Sequence, residues 1–390
     1  MAERAREVEE KLSDALHERL TQRFVDRRTS VLMRQVGGKG AAEFPVLVDE
    51  QGEVTVGSYS IGRMEGFSFE VDPAARHTDR KMLLATAERR LGGEYEKRAA
   101  ALVADSGDHF SLRTEPGLPV AILWRGHEVA RLAAGKNLLS PRVNLDRRID
   151  RVSDKGREAV VERLKSWLRG EVERWLAPLR RAGAAAQDSA TPAAMRSILA
   201  LLVDEGGVVA RDEVAKALGL LDREQRRAVT GLRVRIGALD LFMPDVLKPE
   251  AMRWRTALRA AAGNEAMPPL PPASSVVLPT PEPKQRLLLG RLGFRALGPQ
   301  LLRVDMAERL ARHAHDVRTA GEGSPVDEPL VTSLGLEPAS LAQLMRDLGF
   351  RQADGDAPWT WRGRGRGPRR TKRDEPPGNA FAALSALRRG

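Results

Sequence analysis

The chain contains no cysteine. That removes a disulfide scaffold, a thiolate nucleophile and a cysteine-ligated zinc site together, and it fits a reducing compartment. Aromatic residues make up only 4% of the 390 positions, so any core must be built chiefly from Leu, Val and Ala. No stretch approaches the roughly 20 apolar residues that a membrane-crossing helix needs. The opening MAERAREVEEKL is too charged to serve as the apolar part of a secretory signal. These absences predict a cytoplasmic protein with no membrane partner.

Catalytic apparatus is equally scarce. A phosphate-cradling loop needs a fixed glycine spacing and a Ser or Thr directly after its Lys. Neither GGKGAA from Gly37 nor AAGKNLLS from Ala133 meets that requirement, and both read as ordinary turns. There is no paired acidic motif suited to Mg²⁺ and no G-x-S-x-G elbow. The 6 histidines are scattered, and the close pair His313 and His315 would diverge on a helix. Glu65 beside Arg63 reads as an ion pair rather than an acid–base couple. The sequence therefore predicts no catalytic residue, no cofactor, no metal and no enzyme activity residing in this chain alone.

Positive charge is what the chain does have. Lys and Arg number 64 against 53 Asp and Glu, a formal net charge of +11. Such a surplus neutralises phosphates and releases counterions, giving salt-sensitive affinity for RNA or DNA. A GC-rich coding sequence also enriches Arg. The charge concentrates behind Trp359 and Trp361, where Arg362, Arg364, Arg366, Arg369, Arg370, Lys372 and Arg373 follow with no acidic residue among them. Arginine forks contact phosphates, glycines keep such a backbone mobile, and indoles can stack on bases. Tryptophans at i and i+2 share one side of a strand, so both stack or both enter a core. A second cluster, Arg226, Arg227, Arg233 and Arg235, suits phosphate contact or a solvated helix face.

Periodicity predicts an α+β fold. Val8, Leu12, Leu16, Leu20 and Phe24 recur every fourth residue, so residues 1–36 read as an amphipathic docking helix. Residues 37–182 read as a duplicated hairpin-and-helix domain. Strands FPVLV, EVTVGSY and GFSFEV precede a helix near Thr78–Val103; HFSLR, VAILWRG and HEVARL precede a longer one near Asp154–Arg181. Ile61-Gly62-Arg63-Met64-Glu65-Gly66 aligns with Val129-Ala130-Arg131-Leu132-Ala133-Ala134-Gly135, although hairpins resemble one another readily.

Residues 190–265 and 285–361 read as two helix-turn-helix or winged-helix-like units separated by a Pro-rich linker, 266–284. Leu218-Gly219-Leu220 matches Leu334-Gly335-Leu336, and Leu232 and Leu348 fall at corresponding positions beyond. Residues 362–390 form a basic tail, predicted to be disordered, ending in a short apolar-striped segment.

Several strings also carry a resemblance. HERLTQRFVDRRTSVL from His17, SIGRMEGFSFEVD from Ser60, VARLAAGKNLLSPRV from Val129 and VRIGALDLFMPDVLKP from Val234 look like the C-terminal region of alphaproteobacterial helicases. GRLGFRALGPQLLRVDMAERLA from Gly290 and the FAALSALRR ending extend the likeness in the same order. The motor of those proteins is similar to that of mitochondrial degradosome-type RNA helicases of the DExH class. The resemblance implies a nucleic-acid-binding accessory module, split or truncated from a helicase, that guides RNA or DNA to a motor subunit docked at the N-terminal helix. The family's ATPase residues lie in two RecA-like domains with no counterpart here. The alternative is a stand-alone DNA-binding transcription or nucleoid factor using the helix-turn-helix-like units.

Overall fold

The computed structural model describes residues 46–49, 51–56, 59–71, 91–353 and 357–363. The predicted docking helix, the start of the helix near Thr78 and the tail beyond Gly363 lie outside the described residues.

The first half is strand-rich. β1 (Val46–Val48), β2 (Glu53–Val56), β3 (Tyr59–Glu65) and β4 (Ser68–Val71) form an antiparallel meander. Helix α1 (Gly92–Ala104) follows, burying Tyr95, Ala99 and Leu102 along one face. The pattern then recurs as β5 (Phe110–Arg113), β6 (Ala121–Trp124), β7 (His127–Ala133) and β8 (Arg142–Leu145), followed by the long helix α2 (Asp154–Gln187).

The two meanders share more than strand order. Pairing slips between Val54↔Gly62 and Thr55↔Ser60 in one, and between Ile122↔Ala130 and Leu123↔Glu128 in the other. The extra residues, Ile61 and Val129, are those the sequence alignment places opposite each other. A bulge is positional information. It leaves Arg63 and Arg131 at one register position, across from Glu70 and Asn144. The copies differ in the next connection: Gly66-Phe67 joins β3 to β4, whereas residues 134–141 join β7 to β8. Gly66 has a φ of 54°, and a β-carbon there would lie 2.6 Å from Cβ of His127, so only glycine permits this close approach.

Val160, Leu164, Leu168, Val172, Leu176 and Leu179 form the buried stripe of α2. Val161 and Trp175 sit at its edge, half-buried. The helix departs from helical geometry at Leu176, two residues before Pro178; proline donates no hydrogen bond and crowds the preceding turn.

The second half runs α3 (Ala193–Asp204), β9 (Val208–Ala210), α4 (Ala215–Gly219), α5 (Arg223–Gly231), β10 (Arg235–Ile236), β11 (Asp240–Phe242) and α6 (Pro249–Gly263). Then come β12 (Val277–Pro279), α7 (Pro283–Arg291), β13 (Phe294–Leu297), β14 (Gln300–Arg303) and α8 (Val304–Ala320). α9 (Glu328–Leu334), α10 (Pro338–Asp347), β15 (Phe350–Arg351) and β16 (Thr360–Trp361) complete it. The whole is a mixed α+β fold, with the larger sheets early and most helices late.

The chain divides into two compact units, Met1–Ala184 with Lys248–Pro271, and Ala185–Leu247 with Pro272–Gly390. This changes two expected boundaries. Helix α6, placed by sequence with residues 190–265, belongs to the first unit. Its Trp254 is buried and meets Trp167 of α2 at 6.0 Å between ring centroids, while Trp167 meets Phe110 at 5.7 Å. Such tilted ring pairs add to ordinary apolar burial. The Pro-rich stretch 266–284 is not wholly a connector either. Met267 is buried and exchanges backbone hydrogen bonds with Gly117 and Leu118, both at 2.9 Å. Val277–Pro279 pairs with β14, and Pro283 opens α7. Proline suits the first turn of a helix, where the missing N–H is unpaired in any case.

Three helices of the second unit end in one way. The N–H groups of Leu232, Leu292 and Leu348 each donate to the carbonyl four residues earlier. Arg233, Gly293 and Gly349 then take positive φ of 68°, 96° and 94°. Val234, Phe294 and Phe350 enter the core, and Arg235, Arg295 and Arg351 come next on the strand. The sequence comparison paired the first and third of these endings; the Leu292-Gly293-Phe294-Arg295 copy is an addition. The two matched Leu-Gly-Leu strings differ in backbone: Gly219 ends α4 with Leu220 after it right-handed, whereas Gly335 takes a φ of 64°.

Candidate nucleic-acid interface

The second unit contains a cleft of about 740 Å³ between the β10–β11 hairpin and α8. Arg233 and Arg235 line it from the hairpin side, and Arg309 and Arg312 from α8. Residues 309 and 312 share a helix face because i and i+3 are neighbours on its surface. Arg235, Arg309 and Arg312 are exposed, and among the described residues none of their side chains forms a hydrogen bond or an ion pair.

The acidic groups of the cleft are engaged elsewhere. Glu308 accepts hydrogen bonds from the N–H groups of Ala238, Leu239 and Asp240 at 2.6, 2.5 and 2.8 Å. Asp305 accepts from Nε and Nη2 of Arg303 at 2.7 and 2.9 Å. Arg233 reaches Asp245 at 3.1 Å. The side chains of Arg235, Arg309 and Arg312 thus have no paired carboxylate among the described residues. With Arg233, Arg235, Arg309 and Arg312 against Asp305 and Glu308, the lining keeps a positive balance, which favours anions.

The hairpin bearing Arg235 is held from behind. Arg295 donates from Nε and Nη2 to the Asp240 carboxylate at 2.9 and 3.0 Å, and from Nη2 to the Leu239 carbonyl at 2.9 Å. Burial alone would lower the Arg295 pKa; Asp240, with Asp347 at 3.5 Å, more than offsets this and raises it. The guanidinium therefore stays charged and its bonds persist.

Of the predicted arginines, Arg233 and Arg235 line the cleft. Arg226, although exposed, folds back on the preceding turn, donating to the carbonyls of Leu221 at 3.1 Å and Leu218 at 2.8 Å, and so satisfies the end of α4. Arg227 is exposed on α5, and Arg362 is exposed just past β16. Arg364, Arg366, Arg369, Arg370, Lys372 and Arg373 lie outside the described residues. The two tryptophans separate. Strand pairing includes only Thr360–Trp361, so the alternation rule does not extend to Trp359. Trp359 packs against the core containing Leu310, Ala314 and Phe350. Trp361 is 47% exposed, with the Arg318 guanidinium 4.5 Å from its ring centroid.

Arg309 and Arg312 were not singled out from sequence. Helix α8 reads VDMAERLARHAHDVRTA, with acids interspersed, and only the tertiary positions of Asp305 and Glu308 show that those acids do not neutralise the arginines. In the first unit the carboxylate of Asp105 meets Gly107 N–H at 3.0 Å, Trp124 Nε1–H at 3.1 Å and His109 Nδ1 at 3.0 Å. Burial pushes its pKa up, but the three hydrogen bonds outweigh burial and bring it down to about 2. This is a structural clasp, with a packed indole rather than an open site beside it. Among the described residues no group of three or more His, Asp and Glu could hold a metal ion, and no helix is long and apolar enough to cross a membrane.

No family model matches the chain, and neither a curated protein nor a solved structure matches it.

Proposed function

We propose that the chain is a nucleic-acid-binding accessory module of a helicase, with its second unit gripping RNA or DNA and an ATP-driven motor carried elsewhere. One observation supports this above the rest: Arg235, Arg309 and Arg312 converge on one cleft while Asp305 and Glu308 beside them are otherwise engaged. The order α3, β9, α4, α5, β10, β11, with β9 pairing the second hairpin strand, suits a winged-helix unit whose hairpin forms one wall of the cleft. The basic tail adds a sequence-tolerant electrostatic hold. The resemblance to helicase C-terminal regions supplies the partner.

The test combines binding and unwinding. Fluorescence anisotropy with labelled RNA and DNA, repeated over a salt series, compares the chain with a triple variant bearing Arg235→Glu, Arg309→Glu and Arg312→Glu. Each lost phosphate contact reduces the slope of log K against log salt by roughly 0.7–0.9, so a fall of about two units is expected. An unchanged slope refutes the cleft as the grip, and no effect on unwinding by candidate motors removes the helicase role.

A second reading, a duplex-DNA transcription or nucleoid factor, draws on α5. That helix exposes Arg223 and Arg227, whereas Arg346 of α10 is held by Gln343 at 3.0 Å. Selective binding to one duplex sequence, abolished by changes on α5 alone, would favour this second reading.

A further inference from the structure

We infer that the cleft accepts an unpaired nucleotide of a single strand, with its base on an apolar floor and its phosphates on Arg235, Arg309 and Arg312. This rests on the nucleic-acid reading above and narrows it to a substrate class.

Charge alone would suit any nucleic-acid backbone. The shape does not. A duplex presents phosphates on a convex surface and keeps its bases stacked inside, so a duplex grip needs only a charged face. Here the cationic residues rim a concavity of about 740 Å³, within the range of about 300–1,000 Å³ typical of small-molecule pockets. Its apolar lining is Val234, Ile236, Phe242 and Pro244, of which Ile236 and Pro244 present the accessible surface while Val234 and Phe242 are buried. A phosphate has no use for such a floor. A nucleobase, flat and poorly hydrated on its faces, gains by covering one.

The floor is also fixed in advance. Glu308 ties down the loop between β10 and β11 through three N–H groups, and Arg295 grips Asp240 and the Leu239 carbonyl behind it. Ordering costs on binding are correspondingly small. Aliphatic and proline contacts carry no base-edge code, so the subsite takes any base. Ribose and deoxyribose strands share the chemistry used here, and parallel RNA and DNA arms separate them.

The experiment uses the full chain with oligouridine and oligothymidine strands, the same strands carrying abasic positions, and a blunt duplex of equal length. Single strands are expected to bind roughly tenfold more tightly than their abasic counterparts and the duplex, one buried base supplying about that factor. Ile236→Ser, which removes apolar surface without adding charge, should abolish the difference between normal and abasic strands while retaining the salt slope, with a thermal melt confirming that the variant folds. Cross-linking with a strand containing 4-thiouridine should place adducts within residues 230–244 or 305–312. If normal, abasic and duplex ligands bind equally while the triple arginine variant weakens all three, the base-seating inference falls and the nucleic-acid reading stands. If the arginine variant changes nothing and adducts map outside both segments, both fall.

Discussion

The carboxylate of Glu308 occupies the space that a β-carbon at Gly237 would need: that atom would lie 2.2 Å from Glu308 Cδ. Glycine at 237 is thus set by a close approach, not by its backbone angle, and the approach lets one carboxylate reach three N–H groups of the hairpin loop. Hydrogen bonds to a charged group contribute roughly 1.5–3 kcal/mol each. Gly237→Ala, which displaces the carboxylate, should cost about 2–4 kcal/mol in urea unfolding, and Glu308→Gln should cost less. Near-wild-type stability for both would show that the loop holds itself.

Asp105 makes a pH prediction. Its folded pKa is lowered to about 2, below the usual carboxylate value of about 4. The ionised form is favoured by folding, so its contribution is complete above about pH 4 and is lost as pH falls toward 2. Melting temperatures measured from pH 5 to pH 2 should fall in this window. Asp105→Asn should lower stability at neutral pH and flatten that decline; a variant that keeps the full acid slope would assign the slope to other carboxylates.

The tryptophans of the last hairpin should part company under mutation. Trp359→Ala removes a half-buried ring packed against the core and should cost about 2–3 kcal/mol. Trp361→Ala removes an exposed ring with one cation–π contact and should cost about 1 kcal/mol or less. Chemical unfolding of the two variants checks this ordering directly. If Trp361 also stacks on bases, its variant should bind single strands more weakly than its stability predicts.

Local grammar was the legible part of this sequence. The Leu-Gly-Leu turns and the leucines twelve residues later mark α4–α5 and α9–α10, because helix ends are written in neighbouring residues. The alignment of Arg63 with Arg131 carries the shared bulge for the same reason. The third helix ending, at Leu292, is masked in the sequence by the prolines before it, which read as a linker although Pro283 at a helix start suits α7. The place of α6 was not legible, since Trp254 meets Trp167 across 87 residues of sequence. Nor was the cleft. Arg235 and Arg309 share it only after folding, and whether an arginine is neutralised depends on where Asp305 and Glu308 point.

Arg233 occupies the left-handed position that Gly293 and Gly349 hold in the other two helix endings. A side chain there costs roughly 1–2 kcal/mol, and an ion pair to Asp245 with the arginine side chain 63% exposed returns about 1 kcal/mol at most. Arg233→Gly should therefore leave the melting temperature unchanged or slightly raised, while salt-dependent affinity for nucleic acid falls. A clear loss of stability would show instead that the ion pair governs the site. The position is a local trade-off between activity and robustness: the mouth of the cleft keeps a cation where the backbone would be more comfortable without one.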